Sequence, residues 1–376
     1  MSVAGCETVF VNMLKAFDTK RYSVSVFTTN NCDPIINLIP SDVDVFFQED
    51  YSSRRLFLED LKAFKISRIM KGLFYRGALR VSRDKFRKEV FAAKTHLLLE
   101  EQFDLVIAYK PAEIPYALYQ FSSLKRAVWF HTFEFDGNPY DMDRYVINTL
   151  NSFDKIYCVS QSIKDRLNSY PDLEFHKTEV FHNIMDKDWI IRKADMEAPE
   201  IDSSFTRIVT VARLVKEKRV DRIIAIAQKL IEEGYGFHWY VVGDGPEKKK
   251  LLEMVVDSKL DGSITFLGYK ENPYPYINAC DIYVQTSEIE GYCTTTMEAK
   301  ILEKPVVTTD APGMREQFTD GVDGLITDMS EEGLAAGIKQ LMDDSDFRES
   351  IIKKLKKENN NNNQELVKLY QFIDEP

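Results

Sequence analysis

Short apolar runs alternate with amphipathic stretches along most of this chain. The runs are rich in β-branched and aromatic residues, as buried strands are, whereas the stretches between them repeat apolar residues at helical spacing. Strands are predicted at residues 22–29, 42–47, 103–109, 126–131, 155–160, 179–184, 206–212, 237–243, 264–268, 281–285 and 305–309. This alternation predicts an α/β protein with two series of parallel strands.

Helices are predicted between these strands. Ser160 is a suitable N-cap for the helix that follows it, and Gly234 is a suitable stop for the helix that precedes it. The predicted helices cover residues 7–17, 112–118, 141–151, 161–167, 220–233, 248–258, 272–279, 296–302, 333–342 and 365–373. The last helix follows a run of asparagines and is expected to dock on the folded domains.

The chain is long enough for two domains, since 376 residues fit about two units of 100–200 residues each. Residues 186–204 are charged and lack clear periodicity, so we interpret this region as a linker. The predicted organisation is an N-terminal domain at 1–187, a linker at 188–204, a second domain at 205–357, and an Asn-rich linker with a C-terminal helix at 358–376.

The composition, with 44% hydrophobic and 29% charged residues, is that of a globular protein. A net charge of −11 argues against nucleic acid as a partner. The five cysteines are scattered, which argues against a zinc site or a disulfide framework and favours a reducing compartment. Because no apolar run approaches ~18 residues and no signal-peptide pattern opens the chain, we expect a cytoplasmic protein.

The charge is unevenly distributed. Residues 62–88 contain ten basic residues and one acid, so this segment carries +9 and the remaining chain carries −20. Apolar residues are interleaved with the basic ones, which predicts one or two basic amphipathic helices. Such helices either bind an anionic membrane surface or present an ordinary solvated face. We favour the membrane surface, at the inner face of the plasma membrane.

The stretch 284–300 contains the two acids that matter most for the chemistry. Glu290 precedes Gly291 on a loop after a predicted strand, and Glu298 follows in the first turns of a predicted helix. In an open α/β sheet, ligands bind at the carboxyl ends of strands, and a helix N-terminus favours an anion. Taken alone, however, the two acids are better explained as a solvated loop acid and a dipole-stabilised helix acid.

Three further features are candidates for ligand binding. Arg213 and Lys218 follow the first strand of the second series, where two cations suit a diphosphate, although a solvated charged loop explains them equally well. His131 ends a strand and could donate to a substrate, although a structural histidine bonded to a backbone carbonyl is slightly favoured. The turn at 243–247 lacks a full dinucleotide fingerprint and is interpreted as a turn.

The order in which these motifs occur changes the interpretation. The second half of the chain resembles the retaining, nucleotide-sugar-dependent glycosyltransferases of family 4, within the glycosyl transferases group 1. The resemblance covers about residues 206–326 strongly and the first half more weakly. The matching segments are 211–218, 242–247, 266–268, 281–299, 304–310 and 321–326, with 4–7, 129–131, 159–160 and 182–183 in the first half.

This resemblance implies the GT-B fold, in which two Rossmann-like domains face each other across a cleft. Arg213 and Lys218 would bind the donor diphosphate and stabilise the charge of the leaving group. Glu290 would hold hydroxyls of the transferred sugar near its 3- and 4-positions, and Glu298 would hold the ribose hydroxyls. His131 would face the sugar from the other domain. Catalysis would therefore depend on Glu290, His131, Arg213 and Lys218.

The resemblance also implies the rest of the donor site. A backbone segment after Glu290 would contact the sugar and diphosphate, two residues near 268 would receive the base, and a glycine of the first loop would lie near phosphate and acceptor. These positions are Gly291, Tyr292, Cys293, Thr294, Thr295, Gly268, Tyr269 and Gly5. The donor would be a UDP-, GDP- or ADP-sugar, no metal or other cofactor would be required, and same-face attack would retain the anomeric configuration.

The chain departs from the family pattern in three places. Ala4 precedes Gly5 where the family usually has two glycines, and Cys293 stands where a proline or glycine is frequent. In addition, no strand precedes the first loop, so we expect the N-terminal sheet to lack its first strand.

The expected function is hexosyl transfer to a glycan or polyprenyl-diphosphate-linked acceptor, in capsule, exopolysaccharide or O-antigen synthesis. Two alternatives remain open. One is a catalytically impaired relative that only binds nucleotide sugars. The other is another GT-B enzyme such as a 2-epimerase, against which the combination of Arg213, Lys218, Glu290 and Glu298 weighs.

Overall fold

The computed structural model describes residues 5–28, 34–47, 102–119, 121–132, 134–135, 138–139, 144–196, 201, 204–358 and 362–376. The basic segment 62–88, for which amphipathic helices and a membrane contact are predicted, lies outside these residues. None of the helices among the described residues is long and apolar enough to cross a lipid bilayer.

The N-terminal domain is built on parallel strands. They are β1 (Ser25–Thr28), β2 (Asp44–Phe47), β3 (Gln102–Ala108), β4 (Ser122–Phe130), β7 (Lys155–Cys158) and β8 (Thr178–Val180), with a short antiparallel pair, β5 (Glu134–Phe135) and β6 (Asn138–Pro139). Within the described residues, β1 pairs with β2, and the other four form a sheet in the order β3-β4-β7-β8. The end of β4 is fully buried, from Ala127 to Phe130, as expected for a central parallel strand.

Four helices accompany these strands in the described residues: α1 (Gly5–Ala16), α2 (Ile114–Tyr119), α3 (Arg144–Leu150) and α4 (Gln161–Asn168). The predicted N-cap is confirmed, since the Ser160 hydroxyl accepts a hydrogen bond from the Ile163 N–H at 3.3 Å. Helix α2 is shorter than predicted because its first turn, Pro111–Glu113, is a 3₁₀ turn. Its start is fixed by the Glu113 carboxylate, which accepts from the Tyr109 N–H at 2.9 Å.

The C-terminal domain contains a six-stranded parallel sheet within the range 204–358. Its strands are β9 (Thr206–Val211), β10 (Phe237–Val242), β11 (Ile264–Gly268), β12 (Ile282–Gln285), β13 (Val306–Thr309) and β14 (Leu325–Thr327). The strand order is β11-β10-β9-β12-β13-β14. From β9 the chain adds β10 and β11 toward one edge of the sheet, and it then adds β12, β13 and β14 toward the other edge. The switch point between β9 and β12 opens a crevice at their carboxyl ends.

The predicted linker is partly wrong, because residues 188–194 belong to a helix, α5 (Lys187–Ala194). The Asp186 carboxylate caps it by accepting from the Trp189 N–H at 2.9 Å. Ile190 and Ala194 lie on one face, four positions apart, and are buried. The many charges around these two residues obscured this short apolar stripe, so the sequence suggested a linker where a packed helix forms.

The helices of the C-terminal domain surround its sheet. They are α6 (Arg222–Glu232), α7 (Lys248–Asp257), α8 (Tyr274–Ala279), α9 (Thr294–Ile301), α10 (Met314–Gln317), α11 (Glu331–Asp343) and α12 (Ser345–Lys357). Gly234 has a φ of 87° directly after α6, as the predicted helix stop requires. Helix α5 packs on this domain, where the Asn272 amide donates to the Lys193 carbonyl at 2.9 Å.

The last helix, α13 (Leu366–Asp374), docks on the N-terminal domain. The Tyr370 hydroxyl accepts from the Asp18 N–H at 2.8 Å, and the Asp374 carboxylate pairs with Arg21 at 2.6 Å. The chain thus leaves the C-terminal domain after α12 and returns to the first domain, which links the two domains a second time.

Candidate functional site

The loops after β9 and β12 meet at the switch point of the C-terminal sheet. Lys218 ends a 3₁₀ turn on the first loop, and Glu290 lies on the second. The Lys218 Nζ and Glu290 Oε1 atoms are 2.6 Å apart, and the two side chains are 18% and 7% exposed. The strands hold the loops in this relation, because Ile282 of β12 pairs in register with Ile208 of β9. A largely buried ion pair therefore occupies the crevice where open α/β sheets bind ligands.

Lys218 is a cation in this environment. Burial favours the neutral amine, but the Glu290 carboxylate outweighs it, so the pKa of Lys218 is raised overall. The charge of Arg213 acts in the opposite direction on the pKa of Lys218, which places the two cations near each other. Arg213 itself is exposed on the same loop. The arrangement presents one fixed cation and one accessible cation beside a carboxylate.

A polar network behind Glu290 fixes its carboxylate, and sequence reasoning missed its centre, Gln285. The Gln285 amide donates to the Ser287 hydroxyl at 2.7 Å and to Glu290 Oε1 at 3.3 Å. The Tyr283 hydroxyl in turn donates to the Gln285 carbonyl oxygen at 3.1 Å. Gln285 and Ser287 are both at most 1% exposed. The sequence offered one indication of this role, since Gln285 is a polar residue at the end of an otherwise apolar strand.

The loop after Glu290 leads directly into helix α9, whose first residue is Thr294. A helix N-terminus carries partial positive charge and favours an anion. Cys293, at the cap position, is buried, and burial together with Glu290 raises its pKa to about 11. Its thiol is therefore protonated at neutral pH. The segment Gly291–Thr295 thus offers a positive helix end and a neutral thiol beside Glu290.

Glu298 lies one turn further along α9, in surroundings that differ from those of Glu290. It is 6% exposed, and the Tyr274 hydroxyl donates to its Oε1 atom at 3.3 Å. Burial raises the pKa of Glu298 to about 8, against the weaker opposing effect of the Tyr274 hydrogen bond. The two acids therefore have different partners: Glu290 forms an ion pair with a lysine, whereas Glu298 accepts a hydrogen bond from a neutral phenol.

The N-terminal domain lies directly against this loop. A Cβ placed on Gly291 would be 1.9 Å from the carbonyl oxygen of His131, so only glycine fits there. A Cβ placed on Gly5, the first residue of α1, would be 2.9 Å from the Thr294 hydroxyl. The structure thus brings His131 and Gly5 of the first domain against the Gly291–Thr295 segment of the second.

His131 follows strand β4 and faces Tyr109, with ring centroids 4.7 Å apart. Burial, together with the charge of Lys110, lowers the pKa of His131 to about 4, so its ring is neutral. The backbone of Tyr109 hydrogen-bonds the ring, as the structural alternative predicts. Among the described residues, however, the buried Nε2 atom has no hydrogen-bond partner. The Nε2 atom is therefore a buried polar atom whose hydrogen-bonding capacity is unused within the described residues.

An ion pair near His131 was not predicted. Lys110, directly after β3, pairs with Glu7 in the first turn of α1. Both residues act on the pKa of His131, which places them in its surroundings. The neighbouring Cys6 thiol donates to Glu7 at 3.2 Å, and burial raises the pKa of Cys6 to about 12. Lys110 lies between the end of β3 at Ala108 and the 3₁₀ turn that begins at Pro111.

Gly268 and Tyr269 lie at the end of β11, two strands away from β9 in the sheet. Gly268 has a φ of 71°, and its carbonyl accepts from the Gly243 N–H at 2.9 Å. Tyr269 is 42% exposed. A Cβ on Gly243 would be 1.9 Å from the Ala212 carbonyl oxygen, so packing explains this glycine, as the turn interpretation predicts.

A pocket of about 100 Å³ lies between the two domains and includes Glu290. One wall comes from the N-terminal domain and carries Arg166 of α4, which sequence reasoning did not single out. The lining residues are Thr132, Ser162, Ile163, Arg166, Ile289, Glu290 and Pro312. Glu290 therefore borders a space that both domains shape.

Comparison with known proteins agrees with this architecture. The sequence profile of the family described as "Glycosyl transferases group 1" matches residues 191–358. The chain is 29% identical over 182 residues to N-acetylgalactosamine-N,N'-diacetylbacillosaminyl-diphospho-undecaprenol 4-alpha-N-acetylgalactosaminyltransferase of Campylobacter jejuni, covering 48% of each chain. It is 31% identical over 162 residues to the lipopolysaccharide core biosynthesis glycosyltransferase LpsD of Rhizobium meliloti, covering 43% of this chain and 45% of the relative. The matched region thus spans about half the length of these curated relatives.

Solved structures resemble the chain over nearly its whole length. HepE of Anabaena in complex with UDP-glucose superposes with a TM-score of 0.71 at 17% identity, covering 99% of this chain and 95% of that one. The lipopolysaccharide outer core galactosyltransferase WaaB superposes with a TM-score of 0.62 at 15% identity, covering 98% of each chain. At these identities the likeness establishes the fold. Residues 191–358 thus match the glycosyl transferases group 1 family, and the two-domain architecture is the GT-B fold.

Proposed function

We propose that this protein is a retaining glycosyltransferase that moves a hexosyl group from a nucleotide diphosphate sugar to a glycan or lipid-linked acceptor. The observation that carries the proposal is the Lys218–Glu290 pair, 2.6 Å apart at the switch point of the C-terminal sheet, whose glutamate also lines an interdomain pocket. A cation and a carboxylate at this place match the two ends of such a donor, which are an anionic diphosphate and a hydroxyl-bearing sugar.

The diphosphate lies between two cations and a helix end in this proposal. Arg213 and Lys218 bind its oxygens, and the backbone of Tyr292 to Thr295 contributes N–H groups at the start of α9. Charge that develops on the departing diphosphate is stabilised by these fixed groups in a site that largely excludes water. Because two cations provide this stabilisation, we propose that the reaction needs no metal ion.

The two glutamates bind the two sugars of the donor. Glu290 accepts hydrogen bonds from hydroxyls of the transferred sugar, near its 3- and 4-positions, and its network with Gln285 keeps the carboxylate oriented. Glu298 accepts hydrogen bonds from the ribose hydroxyls, and its raised pKa of about 8 falls when these donors arrive. Gly268 and Tyr269 receive the base at the edge of the crevice.

The N-terminal domain completes the site from the other side. The unpartnered Nε2 of the neutral His131 hydrogen-bonds a hydroxyl of the transferred sugar, and Gly5 lets the backbone approach the phosphate and the acceptor. The acceptor hydroxyl attacks the anomeric carbon from the face that the diphosphate leaves. The bond to the diphosphate breaks as the new glycosidic bond forms, and the acceptor proton passes to the departing phosphate oxygen.

No side chain of the site is required as a covalent nucleophile in this scheme. Glu290 is held by Gln285 and by hydroxyls of the transferred sugar, and the thiol of Cys293 is protonated, because its pKa is about 11. Both groups are therefore poor nucleophiles toward the anomeric carbon. Same-face attack retains the anomeric configuration without a glycosyl-enzyme intermediate.

The acceptor is proposed to be a growing glycan or a polyprenyl-diphosphate-linked glycan in capsule, exopolysaccharide or O-antigen synthesis. The Campylobacter relative, by its name, acts on a diphospho-undecaprenol substrate, and the Rhizobium relative takes part in lipopolysaccharide core synthesis. The basic segment 62–88 supports action at the inner face of the plasma membrane. Co-sedimentation with anionic and neutral vesicles tests this part, and equal binding to both at low salt rejects it.

A donor panel tests the activity itself. The protein is incubated with UDP-, GDP- and ADP-sugars and glycan acceptors in the presence of a chelator, and nucleotide diphosphate release and product configuration are followed by NMR. Transfer with a retained anomeric configuration is expected. Tight donor binding without turnover would instead favour the catalytically impaired relative, and conversion of a UDP-sugar into its 2-epimer without an acceptor would favour the epimerase.

A further inference from the structure

His182 of the N-terminal domain lies between two carboxylates that come from other parts of the chain. Its Nε2 is 3.2 Å from Glu316 Oε2 of α10, and its Nδ1 is 3.6 Å from Glu365 Oε1, directly before α13. The His182 backbone N–H also donates to Glu365 Oε2 at 3.1 Å. The imidazole thus joins the extended segment after β8 to the C-terminal domain and to the returning C-terminal helix.

Glu316 makes a second connection between the domains. Its Oε2 atom accepts from the Gln161 N–H at 2.7 Å, and its Oε1 atom accepts from the Ser162 N–H at 3.3 Å. These two residues begin helix α4, so a carboxylate of the C-terminal domain binds the N-terminus of a helix of the other domain. Ser162 also lines the interdomain pocket that contains Glu290. Separation of the domains would break these bonds together with the His182–Glu316 contact.

His182 and the next residue also contact the loop that follows Glu290. The His182 and Tyr292 rings are 5.1 Å apart between centroids, and the Asn183 amide donates to the Tyr292 carbonyl at 3.4 Å. Asn183 is in turn held by the Asn362 amide, which donates to the Asn183 carbonyl at 2.8 Å. The backbone of Tyr292 is therefore positioned from the N-terminal domain.

We propose that the His182 imidazolium is a positioning residue for the transfer reaction: through Glu316 and Tyr292 it holds the Gly291–Thr295 segment and the two domains in the arrangement that binds the donor. The effect expected on donor kinetics rests on the proposed function. The effect expected on the arrangement of the two domains does not depend on activity. We call His182, Glu316 and Glu365 the interdomain latch.

The charges around His182 define the pH range of the latch. The groups that face it are the carboxylates of Glu316 and Glu365, the Tyr292 phenol, and Lys368, whose Nζ is 2.6 Å from Glu365 Oε2. Burial favours neutral imidazole, but the two carboxylates outweigh it and raise the pKa of His182 to about 9. Burial raises the pKa values of Glu316 and Glu365, but both are lowered overall, because His182 acts together with the Gln161 and Ser162 N–H groups on Glu316 and together with Lys368 on Glu365. The contribution of His182 to stability is therefore complete below about pH 6.5 and is lost as the pH rises through about 9.

The test compares His182→Gln, Glu316→Gln and a matched control, His176→Gln. His176 is an exposed histidine of the same domain, 3.7 Å from Glu174. We expect His182→Gln and Glu316→Gln to lower kcat/KM for the donor by about 10- to 100-fold, mainly through KM, and the double variant to be little worse than either. His182→Lys, which retains a cation, should recover part of the loss, and the control should match wild type.

A pH series and a solution measurement complete the test. Donor KM of wild type is expected to rise several-fold between pH 8 and pH 9.5, and this rise should be absent from the same series for His182→Gln. Small-angle scattering at pH 7 should show a larger radius of gyration for both latch variants than for wild type and His176→Gln. If the domains separate in the variants while wild type turns over no donor, the latch stands and the proposed function fails. Latch variants with wild-type dimensions and a wild-type pH profile overturn the latch itself.

Discussion

Lys218 and Glu290 are 72 positions apart in the chain, yet their Nζ and Oε1 atoms are 2.6 Å apart. Each residue follows a strand on one side of the switch point, and the parallel pairing of β9 with β12 brings the two loop ends together. The two charges of the pair neutralise each other in a largely buried position. On donor binding we expect Lys218 to contact phosphate oxygens, while Glu290 becomes available to sugar hydroxyls.

The first prediction concerns the stability of this pair. Lys218→Met or Glu290→Gln alone leaves its partner buried without an opposite charge, so each should lower the free energy of unfolding by about 3–5 kcal/mol. The double variant should lose less than the sum, because no orphaned charge remains. Lys216→Met, in the same 3₁₀ turn but exposed, is the control and should be close to wild type. Denaturant unfolding measures all four variants, and additive losses would show that the two groups are not coupled.

The second prediction concerns a proton that UDP binding should release. Glu298 has a pKa of about 8 in the donor-free site, so it is mostly protonated at pH 7. Ribose hydroxyls that donate to the carboxylate favour its ionised form and should lower this pKa. Calorimetric titration of UDP in buffers with different ionisation enthalpies should therefore report release of part of a proton. This release should disappear in Glu298→Gln. If that variant releases as many protons on UDP binding as wild type does, Glu298 does not bind the ribose.

The third prediction concerns the pH dependence of stability at the same residue. Because folding raises the pKa of Glu298 from 4.5 to about 8, its contribution to stability is present below pH 4.5 and is lost as the pH rises through about 8. Glu298→Gln does not ionise and should be spared this loss. Its melting temperature relative to wild type should therefore increase between pH 5 and pH 8.5. A constant difference over this range would mean that Glu298 is ionised throughout.

The fourth prediction concerns the contact between the domains at Gly291. A methyl group there would overlap the His131 carbonyl, so Gly291→Ala should force the loop and the domain apart by about an ångström. A displacement of this size at a reacting site costs about 100-fold in turnover. Gly5→Ala should cost less, since the side chain of Thr294 is able to rotate away. Gly262→Ala has open space around its Cβ position and serves as the control. Equal activity of Gly291→Ala and Gly262→Ala would show that the close contact at Gly291 is not needed for catalysis.

The fold was predictable because its signals are local. Strand β11 matches the predicted residues 264–268, and the Ser160 cap and the Gly234 stop act within a few positions of their helices. The main error, helix α5, arose where two buried residues, Ile190 and Ala194, are surrounded by charges. Their burial depends on α8 and α9, which lie more than 75 positions further along the chain.

The candidate site was predictable only as a set of loop positions. The order of motifs placed Lys218 and Glu290 after neighbouring strands, but it gave no information on Gln285, whose role depends on three side chains that converge in the fold. The Lys110–Glu7 pair and the interdomain latch were missed for a different reason, since each joins segments more than 100 positions apart. Such contacts carry no local periodicity, and a single sequence does not reveal them.

Nucleotide diphosphate release by wild type, Arg213→Ala and Lys216→Ala is the most direct test of the central claim that the crevice between β9 and β12 transfers sugar from a nucleotide donor. Arg213 and Lys216 lie on the same loop and both are exposed, but only Arg213 is proposed to contact the diphosphate. We predict that wild type and Lys216→Ala release nucleotide diphosphate at similar rates and that Arg213→Ala is slower by about 100- to 1,000-fold. Donor turnover by Arg213→Ala at the wild-type rate would contradict the account.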